Sequence, residues 1–392
     1  MTGIVLFWVF FALSLYPFII YPGLLRLLAL GARTPRRDGS YLPHVSVLVA
    51  AWNEEALIAR RLDNLLELDY PEDRLEIIVA SDGSTDRTNG IVADYAKRDS
   101  RVRLMDLPHR GKTATMNEAI TAVGGEIIVT TDAGTQFAPD TVRKLVAYFA
   151  DEQVDCVTAS MTMLPLEDTP YNSGENRYRS FENWLRLLES RAGVGFQGCG
   201  PCMAIRAVEY PLIPKETCDD LSPTMAVAAS RGWVLQAHDV QVADYMDGGT
   251  EGQFRSRSRR VVQGLSSIWH YRELLNPLRY PGCCLAIASH KILRWLTGIW
   301  MLGMLLTSAW IWWQQDILIY DVVFYAQGAF YLSALVGYLL SRTRLAKIPI
   351  FSMPLAICVV ALAFLAGIID FLRGRSHATW QPAAGAAADK TP

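Results

Sequence analysis

Apolar and polar positions divide the chain into three regions. Residues 4–30 are apolar with a single charge, Arg26, near the end. At ~1.5 Å of rise per residue such a run crosses a hydrocarbon core of about 30 Å. It lacks the basic start of a signal peptide and exceeds the usual length of its apolar part, so a membrane helix over residues 1–31 is expected. From residue 41 to about residue 280 short apolar runs alternate with amphipathic stretches and turn residues. Three longer apolar stretches follow, roughly 293–313, 317–340 and 350–372, which predict three transmembrane helices within 293–372. Just before them, residues 283–296 carry His290, Lys291 and Arg294 on an apolar background, the pattern of an interfacial helix. The Ala-rich end within 373–392 is expected to be disordered.

Inside the middle region, residues 44–51, 75–80 and 126–130 are rich in Val and Ile, and each run ends in a polar turn. They predict strands. Residues 55–67, 85–97 and 112–122 carry helical spacing, so the order is βαβα(β)αβ. Such alternation predicts an α/β domain with a mostly parallel sheet and helices on both faces. In these sheets ligands bind beyond the carboxyl ends of the strands.

Charge fixes orientation. Arg33, Arg36 and Arg37 follow the first apolar run, which places the α/β domain in the cytoplasm and the amino terminus outside. The basic loop with Arg342, Arg344 and Lys347 is cytoplasmic by the same rule, whereas Arg373 and Arg375 pull inward a tail that counting spans puts outside. Across all 392 residues 51% are hydrophobic and only 19% charged, with a net charge of −2. That balance favours an integral, multi-pass membrane protein and excludes a nucleic-acid partner. Seven cysteines, an odd number with no secreted framework, read as thiols in a reducing compartment. Cys199 and Cys202 have no second pair or histidine at metal-ligand spacing, so they too read as ordinary thiols.

Four turns carry candidate chemistry. The first strand ends in Ala51-Trp52-Asn53-Glu54-Glu55, and the second in Ser81-Asp82-Gly83-Ser84-Thr85-Asp86. Arg110-Gly111-Lys112 precedes the third helix, with Asn117 one turn on, and a helix amino end of this kind suits a diphosphate. The last strand ends in Thr131-Asp132-Ala133-Gly134, where an acid can share a divalent cation with that diphosphate. Each turn alone also reads as an ordinary helix cap or solvated turn.

Together their order and spacing resemble the family-2 glycosyltransferases, the group of cellulose, hyaluronan and exopolysaccharide enzymes, over residues 43–295. The resemblance implies a GT-A nucleotide-sugar-binding domain inserted between transmembrane helices and an inverting single displacement. By it, Ala51, Asn53, Glu54 and Asp82 line the nucleoside pocket, with Asp82 on the base. Lys112 and Asn117 approach the diphosphate and sugar, and Asp132 binds Mg²⁺ or Mn²⁺. Gly134 stands where the family's second metal-binding acid is expected, so either a histidine elsewhere helps hold the cation or it is weakly bound. Gly198 and Gly200 resemble the family's acceptor-side turn, and Asp219-Asp220 follows at the expected distance. Asp220 matches the catalytic base, with helix capping as the plain alternative. Arg257 and Arg259 lie where the family neutralises the leaving diphosphate, or form a basic stripe on anionic lipid. The tryptophan of processive synthases is absent there; Trp269 is out of register.

These implications predict a hexosyltransferase using a UDP-sugar, forming β-linkages non-processively on a polysaccharide or lipid-linked saccharide, with other polysaccharide-assembly proteins as possible partners. A ceramide or polyprenyl-phosphate glycosyltransferase and a non-catalytic assembly subunit are the alternatives. A transporter finds no support in buried charge pairs or repeated broken helices.

Overall fold

In the computed structural model, described for residues 2–164, 170–245, 249–341, 343, 345 and 348–375, the chain opens with two helices, α1 (Thr2–Leu15) and α2 (Ile20–Ala29). The α/β region then runs β1 (Val45–Ala51), α3 (Ile58–Leu66), β2 (Leu75–Asp82), α4 (Thr88–Arg98), β3 (Val102–Leu107), α5 (Lys112–Ile120), β4 (Ile127–Asp132) and α6 (Thr141–Val146). It continues through β5 (Val154–Leu164), α7 (Pro170–Arg191), β6 (Met203–Arg206), α8 (Leu221–Ala229), β7 (Trp233–Tyr245) and α9 (Gly249–His270). Helical segments α10 (Pro281–Trp295), α11 (Thr297–Gln314), α12 (Leu318–Leu339) and α13 (Pro349–Leu372) close the chain. The basic loop residues Arg342, Arg344 and Lys347, and the tail from residue 376, lie outside the described residues.

One seven-stranded sheet has the order β3-β2-β1-β4-β6-β5-β7. Neighbours pair in parallel except along β6, which is antiparallel to both β4 and β5. Every residue of β1 is buried, as a central strand covered on both faces requires, and this is why the run reads as continuous rather than alternating. Ile58, Leu62 and Leu65 of α3 pack with Val45, Val47 and Val49 on one face. Met116 and Ala119 of α5 meet Leu48, Ala50 and Ile78 on the other. The three strands expected at 44–51, 75–80 and 126–130 are therefore present, with β3 as the optional fourth. β2 and β4 each run two residues further than the apolar pattern, up to the acids Asp82 and Asp132.

Among the described residues, the apolar stretches form two single helices and two bent pairs, which make up to four spans if each bent pair is one. The single helices long and apolar enough to cross a membrane are α12 and α13. The first apolar run is not one helix: α1 and α2 meet at 52°, because Pro17 removes a donor and restricts Tyr16 before it. The stretch expected at 293–313 is likewise divided, α10 meeting α11 at 57°. Of the charged residues in 283–296, His290 and Arg294 are buried against acids of α7, while Lys291 is half-buried. Arg33 and Arg37 are spent on the α/β domain as well, through Asp151 at 2.8 Å and Asp239 at 2.7 Å.

The helix that carries the arginine cluster, α9, lies along α13. A Cβ at Gly367 would fall 2.7 Å from both the Ser258 carbonyl oxygen and the Val261 side chain, so only a glycine lets the two helices approach this closely. Gly367→Leu is expected to cost about 1–3 kcal/mol by overpacking, read as a lower Tm in detergent, whereas Gly328→Leu, with nothing within 4 Å, leaves Tm unchanged.

Candidate active site

Strand register brings the chemistry to one edge. Ala51 lies beside Ser81, and Ala50 beside Asp132, so the turns after β1, β2 and β4 emerge level. The strand order reverses direction of travel between β1 and β4, the position where open α/β sheets bind ligands.

The first two turns are knitted together. Asn53, at φ 56°, accepts the Thr85 N–H at 2.8 Å, while its own N–H donates to Ser84 Oγ at 3.1 Å. Glu54 is buried, and its N–H donates to Thr88 Oγ1 at 2.8 Å. The Asp82 carboxylate is fully buried and accepts from Arg110 N–H at 2.7 Å, Gly111 N–H at 3.0 Å and Thr115 Oγ1 at 2.8 Å. His109 Nδ1 also reaches it, at 3.0 Å. Asp82 thus orders the 109–111 turn rather than offering a free carboxylate to a base. The His109 ring stacks on Trp52, with centroids 4.9 Å apart. This aromatic slab escaped the sequence reading because the two residues lie on different turns.

At the centre, Lys112 Nζ lies 2.7 Å from Asp132 Oδ1 and 2.6 Å from Asp219 Oδ2. Burial works to lower the Lys112 pKa, but the two carboxylates outweigh it and hold the ammonium well above its usual range. Burial likewise works to raise Asp219, and Lys112, with a contribution from Arg259, keeps its carboxyl below the usual range. Asp132 is supported from beneath by buried Arg61, whose Nη2 donates to Thr131 Oγ1 at 2.7 Å; that hydroxyl donates to the Pro201 carbonyl at 2.8 Å. Asn117 turns elsewhere. Its amide bonds the main chain of Ile213 in both directions at 2.8 Å, so these polar atoms are taken up by the chain itself.

On the far side, Asp220 occupies the residue before α8 but makes no side-chain capping bond. Its Oδ1 instead accepts from Cys218 Sγ at 2.8 Å, leaving a carboxylate at the site edge. Gly198 packs directly on the same residue: a Cβ there would lie 2.1 Å from the Asp220 carbonyl oxygen. At Gly200 the corresponding distance is 3.4 Å, to the Asp220 Cβ. Cys199 and Cys202 are free and buried, and burial pushes the Cys199 thiol up to about 11, as inert thiols require. Arg257 is buried in α9, and Arg259 acts electrostatically on Asp219.

Among the described residues no three His, Cys, Asp or Glu side chains converge as a metal-ligand set. Asp132 and Asp219 nevertheless reach one point from two segments, where an ammonium now sits. Two hard carboxylates fit Mg²⁺ or Mn²⁺ when phosphate oxygens supply further ligands. Asp219 is the acid that faces Asp132 across Lys112.

The model for Glycosyl transferase family 2 matches residues 46–208. A beta-monoglucosyldiacylglycerol synthase of Nostoc sp. is 32% identical over 155 residues, 39% of this chain and 33% of that protein. An N-acetylglucosaminyltransferase of Sinorhizobium fredii is 30% identical over 210 residues, 50% of each chain. The chain thus spans half or less of the length of these curated relatives. The mannosyltransferase PcManGT from Pyrobaculum calidifontis, solved with GDP-Man and Mn²⁺, superposes with a TM-score of 0.70 at 21% identity, over 95% of this chain and 99% of its own. That likeness shows the GT-A α/β fold.

Two outcomes are expected. Lys112→Met, which leaves two facing carboxylates unneutralised, lowers affinity for a nucleoside diphosphate at least tenfold in calorimetric titration. Asp219 is held below its unfolded pKa, so its stabilisation is fully present above about pH 5 and is lost as pH falls through the depressed value. The Tm difference between wild type and Asp219→Asn is therefore constant from about pH 5 to 8 and shrinks below about pH 4.

Proposed function

We propose that the chain, whose residues 46–208 match the Glycosyl transferase family 2 model, is an inverting, non-processive hexosyltransferase of that family. It takes its sugar from a UDP-sugar and places it, β-linked, on a lipid-borne acceptor at the cytoplasmic face of a membrane. The observation that carries this reading is the Lys112 ammonium shared by Asp132 and Asp219, which joins a donor-side turn to the acceptor-side segment. The nucleoside lies over the turns at Ala51, Asn53, Glu54 and Asp82, edged by the Trp52–His109 stack, and meets the main chain that Asp82 orders. Gly198 and Gly200 floor the acceptor side.

In the reaction Asp220 takes the proton of the acceptor hydroxyl as its oxygen bonds to the anomeric carbon. The bond from that carbon to the diphosphate oxygen breaks with inversion. Lys112 exchanges carboxylate for phosphate, and the guanidinium groups of Arg257 and Arg259 receive the charge that grows on the leaving group. A Mg²⁺ or Mn²⁺ ion held by Asp132 and Asp219 with the donor diphosphate would neutralise part of that charge.

A lipid-borne acceptor, either a lipid-linked saccharide or a glycolipid precursor, is favoured by the packing of the arginine-bearing α9 along the apolar helix α13. The diacylglycerol-directed relative agrees with it. Helices α12 and α13 would anchor the chain in the bilayer, with each bent pair as a broken span or re-entrant loop. Gly134 favours a second reading, a non-catalytic subunit that works with other polysaccharide-assembly proteins. Purified protein in detergent, offered UDP-glucose, UDP-galactose, UDP-N-acetylglucosamine and UDP-glucuronate with and without Mn²⁺, is expected to release UDP from one of them and label a lipid extract. Asp220→Asn lowers that rate by about 10²–10⁴-fold with UDP affinity intact. Absence of release from every donor, with a cellular phenotype indifferent to Asp220→Asn, establishes the non-catalytic reading instead.

A further inference from the structure

Where the α/β domain meets the helix bend at residues 295–297, five polar side chains are buried together. Glu182 and Glu189 stand two turns apart on one face of α7, and the His290 ring lies between them. Its Nε2 is 2.9 Å from Glu182 Oε1 and its Nδ1 is 2.7 Å from Glu189 Oε1. Arg294 Nη1 is 2.7 Å from Glu182 Oε2, and Tyr21 of α2 donates to Glu189 Oε1 at 2.7 Å. Each of the five is no more than 5% exposed. Burial alone would raise the Glu182 pKa, but Arg294 and His290 outweigh it and hold the carboxyl well below its usual range. The ring is thus bracketed by two acids, one at each nitrogen, and a polar ring at zero exposure is tolerated because both nitrogens have partners. The ring also sits in the wider turn of α10, which is π-helical over Ile287–Ile292.

The cluster does not end at the charges. Gln197 Nε2 lies 2.6 and 3.1 Å from the two ring nitrogens, while its Oε1 has no partner. With the amide turned, Oε1 accepts from a ring N–H. The next residue is Gly198, whose carbonyl accepts from Arg186 Nη1 at 3.0 Å; Arg186 Nε in turn stands 3.6 Å from Glu182. Thr224 Oγ1 donates to the Phe196 carbonyl at 2.7 Å. The turn is therefore gripped from behind by the buried cluster, and in front it abuts the Asp220 peptide with no room for a side chain.

We propose that His290, held by Glu182 and Glu189, is a positioning residue for the acceptor side of the site: through Gln197 it fixes the 195–200 turn against Asp220. This rests on Asp220 being the base that the preceding reading assigns. The helix bend, as the element bearing His290, then governs where Asp220 stands without touching donor or acceptor.

Gln197→Ala tests this on the full chain in detergent, because it cuts the link and leaves the ion pairs in place. Hydrogen–deuterium exchange should rise in segments 195–202 and 218–224, with Tm unchanged. The kcat for transfer should fall at least tenfold while the donor KM and UDP affinity stay within twofold. Gln197→Glu, which restores an acceptor for a ring N–H, should recover most of both losses, and His290→Asn should reproduce the exchange pattern if it folds. Unaltered exchange at 218–224 in Gln197→Ala overturns the proposal, as does a loss of donor affinity in step with kcat. Exchange is read without any turnover, so a wild-type chain that releases no UDP removes the catalytic reading and leaves the positioning claim to be decided by that measurement.

Discussion

Three segments far apart in the chain converge on one ammonium. Lys112 opens α5, Asp132 closes β4, and Asp219 precedes α8, yet the two carboxylates reach the same Nζ within 2.7 Å. An attraction of this kind is strong only where water is partly excluded, and it fails if any of the three backbones moves by an ångström or two. Level strand ends hold Lys112 and Asp132 in place from one side, and the packing of Gly198 on Asp220 does so from the other. The site is therefore a consequence of backbone placement, and one ammonium already stands between two carboxylates before any ligand enters.

Much of this was legible in the sequence because parallel strands announce themselves. Buried on both faces, β1, β2 and β4 read as unbroken Val and Ile runs, and the polar residues that end them fall at the ligand edge. Asp132 and Lys112 stand out in their turns, and Asp219 follows from the family resemblance. Their meeting has no such signal, since Asp219 follows β6, the strand that runs against its neighbours, and no local pattern encodes that reversal. Asp82 and Asn117 show the opposite limit. Each sits at the expected place, but the chain itself takes up its polar atoms, on Arg110 and Gly111 for one and Ile213 for the other. A motif gives the position of a side chain, not its partner.

The helix bends show how hydropathy misleads about shape. Residues 4–30 and 293–313 are apolar enough to suggest straight spans, and composition carries no sign of an angle apart from Pro17. At the second bend the informative residues were charged ones. His290 and Arg294 looked like groups seeking water at an interface, whereas the acids that receive them lie about a hundred positions earlier, on α7. Pairing across that separation converts an expensive burial into a specific contact.

The first helices make contacts of still greater reach. Trp8 donates to the Tyr320 hydroxyl at 3.1 Å across 312 positions, and Arg37 meets Asp239 across 202. In terms of biosynthesis, the helix that bears Trp8 cannot complete its packing until the chain has been made as far as Tyr320, 312 positions later. Contacts this distant in sequence are slow to close and leave apolar faces open meanwhile. The amino-terminal helix pair must wait beside the growing domain, so the order of synthesis and the order of assembly run in opposite directions.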